Sequence, residues 1–66
     1  MDSKRIECAI LAHRRLIRVY RKPSQAPEWF DVMDDLQNAA DYLQGLAEPS
    51  QDQLLLLQRV LLELGR

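Results

Sequence analysis

Three prolines and Gly45 divide the chain into three segments, and within each segment the apolar residues recur at helical spacing. Apolar residues at i, i+3, i+4 and i+7 form one stripe of an α-helix, whereas a strand requires a period of two that no segment shows. The sequence therefore predicts an all-α fold. We expect a small three-helix bundle with helices at about 3–21, 27–44 and 51–64, forming a single helical domain over residues 1–66.

The residues around the breaks predict how each helix begins and ends. Asp2 or Ser3 can accept a backbone N–H and so cap the first helix. Pro27 has the fixed φ that suits a first helical turn, and Gly45 offers a left-handed end to the second helix. Ser50–Gln53 has the Ser-x-x-Gln pattern of a capping box, which places the start of the third helix at about residue 51.

One apolar stripe on each helix predicts the core. In helix one the stripe comprises Ile6, Ala9, Ile10, His13, Leu16, Ile17 and Tyr20. In helix two it comprises Trp29, Val32, Met33, Leu36, Ala39, Ala40 and Leu43. In helix three it comprises Leu54, Leu57, Val60, Leu61 and Leu64.

Several large apolar residues lie outside these stripes. Leu55 and Leu62 form a second stripe on helix three, Leu56 lies on a third side, Leu11 stands among basic residues, and Phe30 projects near polar residues of helix two. Exposed apolar stripes mark contact surfaces. We therefore predict that these five residues bind a partner.

The size of the chain supports the same prediction. A domain of 66 residues has a thin core that supplies only about 3–5 kcal/mol of net stability, and small domains of this kind often rely on disulfides, metals or oligomerisation. Cys8 has no second cysteine with which to form an internal disulfide. We expect association into a dimer.

Charge is distributed unevenly along the chain. Residues 1–22 contain seven basic and two acidic residues, for a net charge of +5, and residues 23–66 contain two basic and eight acidic residues, for a net charge of −6. We predict a charged interaction face formed by Arg14, Arg15, Arg18 and Arg21 of helix one and by Asp31, Asp34 and Asp35 of helix two. Short connections make consecutive helices neighbours, so these arginines are expected to face these aspartates. An acidic protein surface is the favoured partner of the basic residues; nucleic acid and a membrane surface are the alternatives.

The residue types that carry chemistry are scattered. His13 falls in the apolar stripe and is predicted to be a buried imidazole bonded to Tyr20, to a helix-two carboxylate or to a backbone carbonyl. Cys8 is predicted to be half-buried on the flank of helix one. The acidic residues near Glu28 lack the glycine-containing loop of an EF-hand. The sequence predicts no catalytic residue, no metal ligand and no cofactor, and hence no enzyme.

The charged N-terminus is followed by no apolar run longer than the five residues 8–12, which is also the longest purely apolar run in the chain. A membrane span needs about 20 apolar residues. Together with the single thiol, this predicts a cytoplasmic protein without a transmembrane segment.

These features favour a non-enzymatic interaction module: an adaptor, chaperone-like subunit or regulator that acts through leucine-rich and charged helix faces. Its expected partners are a second copy of itself, a larger protein, or both. The alternative hypothesis is a small nucleic-acid-binding regulator that uses the basic face of helix one.

Overall fold

The computed structural model describes all 66 residues and contains three α-helices and no strand. Helix α1 spans Ser3–Val19, α2 spans Trp29–Gln44 and α3 spans Gln51–Glu63, while Pro23–Gln25 forms a 3-10 turn between α1 and α2. The predicted all-α class and the three helices are confirmed. No helix is both long and apolar enough to cross a membrane.

Two of the predicted helix ends are confirmed. Asp2 caps α1, because its carboxylate accepts the Lys4 N–H at 3.1 Å. The capping box of α3 is complete: the Gln53 N–H donates to Ser50 Oγ at 3.1 Å, and the Ser50 N–H donates to Gln53 Oε1 at 2.8 Å. These bonds satisfy backbone donors that have no partner within the helix.

Helix α2 ends at Gln44 with Gly45 as its cap, as predicted, but its start and the conformation of Gly45 differ from the prediction. Pro27 precedes the helix, because Ala26 is buried in an extended conformation and the chain must turn before α2 begins at Trp29. Gly45 has a φ of −85° and is not left-handed. Its N–H instead donates to the carbonyls of Asp41 and Tyr42, which tightens the last turn.

Helix α2 lies centrally and packs extensively against both other helices, which contact each other less. Ion pairs show that α1 and α3 run in the same direction, since Glu7 pairs with Arg59 and the later His13 pairs with Glu63. The fully or nearly buried apolar residues are Ile6, Ala9, Ile10, Leu16, Ala26, Val32, Leu36, Ala39, Ala40, Leu43, Leu56 and Val60.

The predicted core stripe of α1 is wrong at its C-terminal end. Ile17 is 54% exposed and Tyr20 is 37% exposed. Helix α3 ends at Glu63, which pairs with His13 one turn before Ile17. The end of α1 therefore extends past the helix that would have covered it.

The predicted buried face of α3 is confirmed at Val60, which is fully buried, and at Leu57, Leu61 and Leu64, which pack against the core, but it is wrong at one edge. Leu54 is largely exposed, whereas Leu56, which we predicted to lie on an outer side, is buried together with Val60. Leu56, Val60 and Glu63 are spaced i, i+4 and i+7 and form one stripe. With Glu63 bonded to His13 on α1, Leu56 lies on the inner side of α3 and Leu54 lies outside, while the other residues of the predicted stripe stay against the core.

Candidate interaction surfaces

The outer side of α3 carries the largest group of exposed leucines on one helix. Leu54, Leu55 and Leu62 are 47%, 49% and 67% exposed, respectively, and Gln51 and Gln58 lie beside them. We call these five residues the leucine face. It contains no charged side chain, and the predicted exposure of Leu55 and Leu62 is confirmed.

Leu56 does not belong to this face, and its prediction as a partner contact is wrong. Its side chain is 7% exposed and is part of the core cluster. Apolar spacing placed Leu54 and Leu57 in the core and Leu56 outside it, because the spacing does not show that Glu63, seven residues after Leu56, bonds to His13 on α1.

The second surface is the solvent side of α1. Leu11 is 61% exposed, as predicted, and stands three, four and seven residues before Arg14, Arg15 and Arg18, all of which are exposed. Residues at these spacings are neighbours on a helix, so the arginines surround Leu11. We call these four residues the basic face. Phe30 of α2 is also exposed, at 73%, as predicted.

The predicted pairing of arginines on α1 with aspartates on α2 is not present. One ion pair joins these helices, between Arg5 and Asp35 at 3.8 Å, and Arg5 was not among the predicted residues. Arg14 instead pairs with Glu63 at 3.1 Å, on α3. Arg15, Arg18, Arg21, Asp31 and Asp34 form no ion pair.

Helical geometry explains why those groups stay apart. Asp34 lies two residues from both Val32 and Leu36, which places it nearly opposite the buried side of α2. Arg15 and Arg18 likewise project away from the buried side of α1, as their exposure shows. The opposite charges of the two helices are therefore largely left without partners inside one chain.

His13 is buried, as predicted, but its partner is none of those predicted. Its Nδ1 lies 2.8 Å from Oε1 of Glu63, and Arg14 Nε donates to the other oxygen, Oε2, at 3.1 Å. The His13 and Trp29 rings also pack together, with centroids 5.7 Å apart. This cluster joins α1 to α2 and α3 at one level of the bundle.

Burial alone would raise the pKa of Glu63, but the hydrogen bonds from His13 and Arg14 and their charges outweigh it, so the pKa lies below its ordinary value. The carboxylate is therefore ionised at neutral pH and only accepts hydrogen bonds, which fixes the proton of His13 on Nδ1. No fully buried side-chain nitrogen or oxygen lacks a hydrogen-bond partner. The buried polar atoms of this cluster therefore have their hydrogen-bond partners within the chain.

The thiol and the other carboxylates do not come together into a site. Cys8 is exposed and not half-buried as predicted, because it lies on the solvent side of α1. No three His, Cys, Asp or Glu side chains lie close enough together to hold a metal ion. An open groove of about 400 Å³ lies where α1 and α3 begin, lined by Ser3, Glu7, Asp52, Leu55, Leu56 and Arg59. The sequence did not predict it, since it depends on the parallel pairing of α1 and α3.

The chain matches no protein-family model, and it has no significant similarity to curated proteins or to solved structures.

Proposed function

We propose that this protein is a non-enzymatic interaction module that binds a protein partner through the leucine face of α3. The observation that carries the proposal is the exposure of Leu54, Leu55 and Leu62 on a helix whose other side already completes a core. Covering a leucine side chain stabilises a complex by up to about 1.5–3 kcal/mol. Exposed leucines that are neighbours on one helix therefore favour association.

The remaining exposed groups fit the same function. Leu11 and Phe30 stand singly on α1 and α2 and are secondary contacts in this proposal. The exposed thiol of Cys8 suits a reducing compartment, and we place the protein in the cytoplasm. The partner is a second copy of the chain or a larger protein, and the protein acts as an adaptor, chaperone-like subunit or regulator by occupying that partner's surface.

Replacement of both Leu55 and Leu62 by Glu tests this proposal. The variant is expected to keep its helicity, measured by far-UV circular dichroism, because both side chains are exposed. It should lose the proteins that the native chain captures from its own cytosol after nuclease treatment, because burying charge at a contact is unfavourable. A matched control, Ile17→Glu with Val19→Glu, changes two exposed apolar residues of α1 that belong to no proposed contact. Equal capture by all three proteins would refute the role of the leucine face.

Binding of nucleic acid is the second candidate function, and the unpaired Arg15 and Arg18 of the basic face favour it. Arginines that neutralise phosphates release counterions, so such binding weakens steeply with salt. We expect no binding tighter than micromolar to duplex DNA or RNA at about 150 mM salt. Nanomolar binding measured by fluorescence anisotropy, abolished by Arg15→Ala with Arg18→Ala, would favour the regulator over the interaction module.

A further inference from the structure

We propose that two copies of this chain associate through the outer side of α1 and α2, the side turned away from α3, with α1 of each copy lying on α2 of the other. This surface is separate from the leucine face. The inference therefore goes beyond the proposed function and leaves the leucine face free for another protein. Ion pairs within the chain identify the residues of this surface, and their charges identify the occupant.

The ion pairs of α1 show which of its residues lie on this side. Arg5 pairs with Asp35 of α2 at 3.8 Å, whereas the other ion pairs of α1 reach α3. Arg5 therefore marks the edge of α1 next to α2. Steps of three and four residues from Arg5 keep side chains on one side of the helix. The resulting stripe consists of Arg5, Cys8, Ala12 and Arg15.

Asp35 marks the corresponding edge of α2. Steps of three and four residues from Asp35 again follow one side of the helix. This second stripe consists of Asp31, Asp35, Asn38 and Tyr42. We call the two stripes together the α1–α2 face. Its side chains are exposed apart from Ala12 and Asp35, which are half-buried.

The charges of the α1–α2 face are complementary to themselves. Helix α1 contributes only basic groups to it, from Arg5 and Arg15, and α2 contributes only acidic ones, from Asp31 and Asp35. Arg15 and Asp31 form no ion pair within the chain. A symmetric dimer uses the same patch on both copies, so a patch with balanced, opposite charges fits a second copy. Nucleic acid fits this face less well, because the aspartates repel phosphates.

The charges also distinguish two possible arrangements of the copies. A two-fold axis parallel to the helices lays α1 of each copy on α2 of the other, so the basic stripe meets the acidic stripe twice. An axis across the helices lays α1 on α1 and α2 on α2, where like charges repel. The first arrangement is therefore the favoured one.

The levels of the charged residues fit that arrangement. His13 packs against Trp29, and α1 and α2 run in opposite directions, since Arg5 meets the later residue Asp35. Arg15 and Asp31 each lie two residues beyond this contact, so they differ by about 6 Å along the bundle. An arginine side chain spans that distance. An axis parallel to the helices preserves these levels, and Arg15 can therefore reach Asp31 of the other copy.

The surface is large enough for a stable contact. The α1–α2 face occupies one of three long sides of a molecule whose accessible surface is 4842 Å². A stable interface buries roughly 800 Å² on each partner. One side of this bundle therefore supplies the area that a dimer needs.

The thiol of Cys8 tests this face directly. Cys8 is the single cysteine and is exposed in one chain. Raising the protein concentration from nanomolar to tens of micromolar should slow its reaction with a maleimide several-fold, because the second copy covers it. Leu55→Cys in a Cys8→Ser background places a thiol on the leucine face, and its rate should not change. Protection at position 55 instead of position 8 would overturn the proposal.

An exchange of charges tests the arrangement. In sedimentation at about 150 mM salt, Arg15→Asp should weaken the native dimer by about tenfold or more, since it replaces two attractions by two repulsions. Adding Asp31→Arg to that variant restores opposite charges at both places and should restore association. Arg21→Asp, beyond the end of α1, makes the same change of charge outside the face and should weaken the dimer less. Equal weakening by the two arginine variants, or an exchange that restores nothing, would contradict the arrangement.

The dimer and the proposed function fail in different ways. Leu55→Glu with Leu62→Glu leaves the α1–α2 face unchanged, so it should keep the dimer while it loses the captured proteins. Loss of the dimer in that variant, or a native chain that stays monomeric at tens of micromolar, would overturn the second copy as occupant of the α1–α2 face. Capture by the leucine face is decided separately, by the proteins that the native chain and this variant retain.

Discussion

At the scale of single residues, one polar contact fixes how α3 is placed against α1. Glu63 takes hydrogen bonds from His13 and Arg14, and its side chain is 11% exposed. A buried carboxylate is tolerated only where its oxygens are bonded, as both are here. This requirement turns α3 so that Glu63, Val60 and Leu56 face inward, and it leaves Leu54 and Leu55 outside.

Replacement of Glu63 by Gln should reduce the free energy of unfolding by about 1–3 kcal/mol, because His13 and Arg14 lose a charged acceptor. Urea titration at pH 7 measures this loss. Glu48→Gln, in the loop before α3 and without an ion pair, is the matched control and should change little. Equal stability of the two variants would show that the cluster contributes nothing.

The same carboxylate predicts a dependence on pH. The pKa of Glu63 is lower in the folded than in the unfolded chain, so its stabilisation is complete above the unfolded pKa and is lost as the pH falls through the folded pKa. Native protein should therefore lose more stability than Glu63→Gln between neutral pH and about pH 3. Thermal melts across this range measure the difference, and parallel curves for the two proteins would exclude Glu63 as a cause of acid sensitivity.

At the scale of helices, local signals predicted the starts of α1 and α3, and contacts between residues distant in the sequence decided how α3 is rotated. Asp2 and the Ser50–Gln53 box lie within a few residues of the groups they cap, so the sequence alone revealed them. The rotation of α3 depends on Glu63 meeting His13, fifty residues earlier in the chain. Apolar spacing assigns leucines to the sides of a helix but contains no information about that partner. The predicted burial of Leu54 and the predicted exposure of Leu56 were therefore wrong.

The rotation of α3 predicts different effects for adjacent leucines. Leu56→Ala should lower the free energy of unfolding by about 2–4 kcal/mol, since it empties a buried site, and Leu55→Ala by less than about 1 kcal/mol. The measurement is urea unfolding at a concentration low enough to keep the chain monomeric. Similar losses for the two variants, or a larger loss for Leu55, would contradict the observed burial and restore the face predicted from the sequence.

At the scale of the whole molecule, the charge difference between α1 and α2 contributes little to folding. Only the exposed pair Arg5–Asp35 joins these helices, at 3.8 Å, and exposed pairs contribute about 0–1 kcal/mol. The predicted opposition of arginines and aspartates was wrong within one chain because both groups project away from the buried sides of their helices. Outward-facing charges of opposite sign act instead on whatever approaches the molecule.

Reversal of Asp31, Asp34 and Asp35 to Lys tests this separation of roles. Far-UV helicity should remain nearly intact, and stability should fall by no more than about 1–2 kcal/mol, since the change removes one exposed ion pair and one favourable charge in the first turn of α2. Self-association or partner capture at low salt should weaken, because the variant replaces its acidic surface by a basic one, and added salt should narrow the difference from the native chain. Glu48→Lys, a reversal in the loop, is the control. Complete unfolding of the triple variant would show that the aspartates are needed for folding. Unchanged association at low salt would show that they contact only solvent, and the charge difference would then have no part in binding.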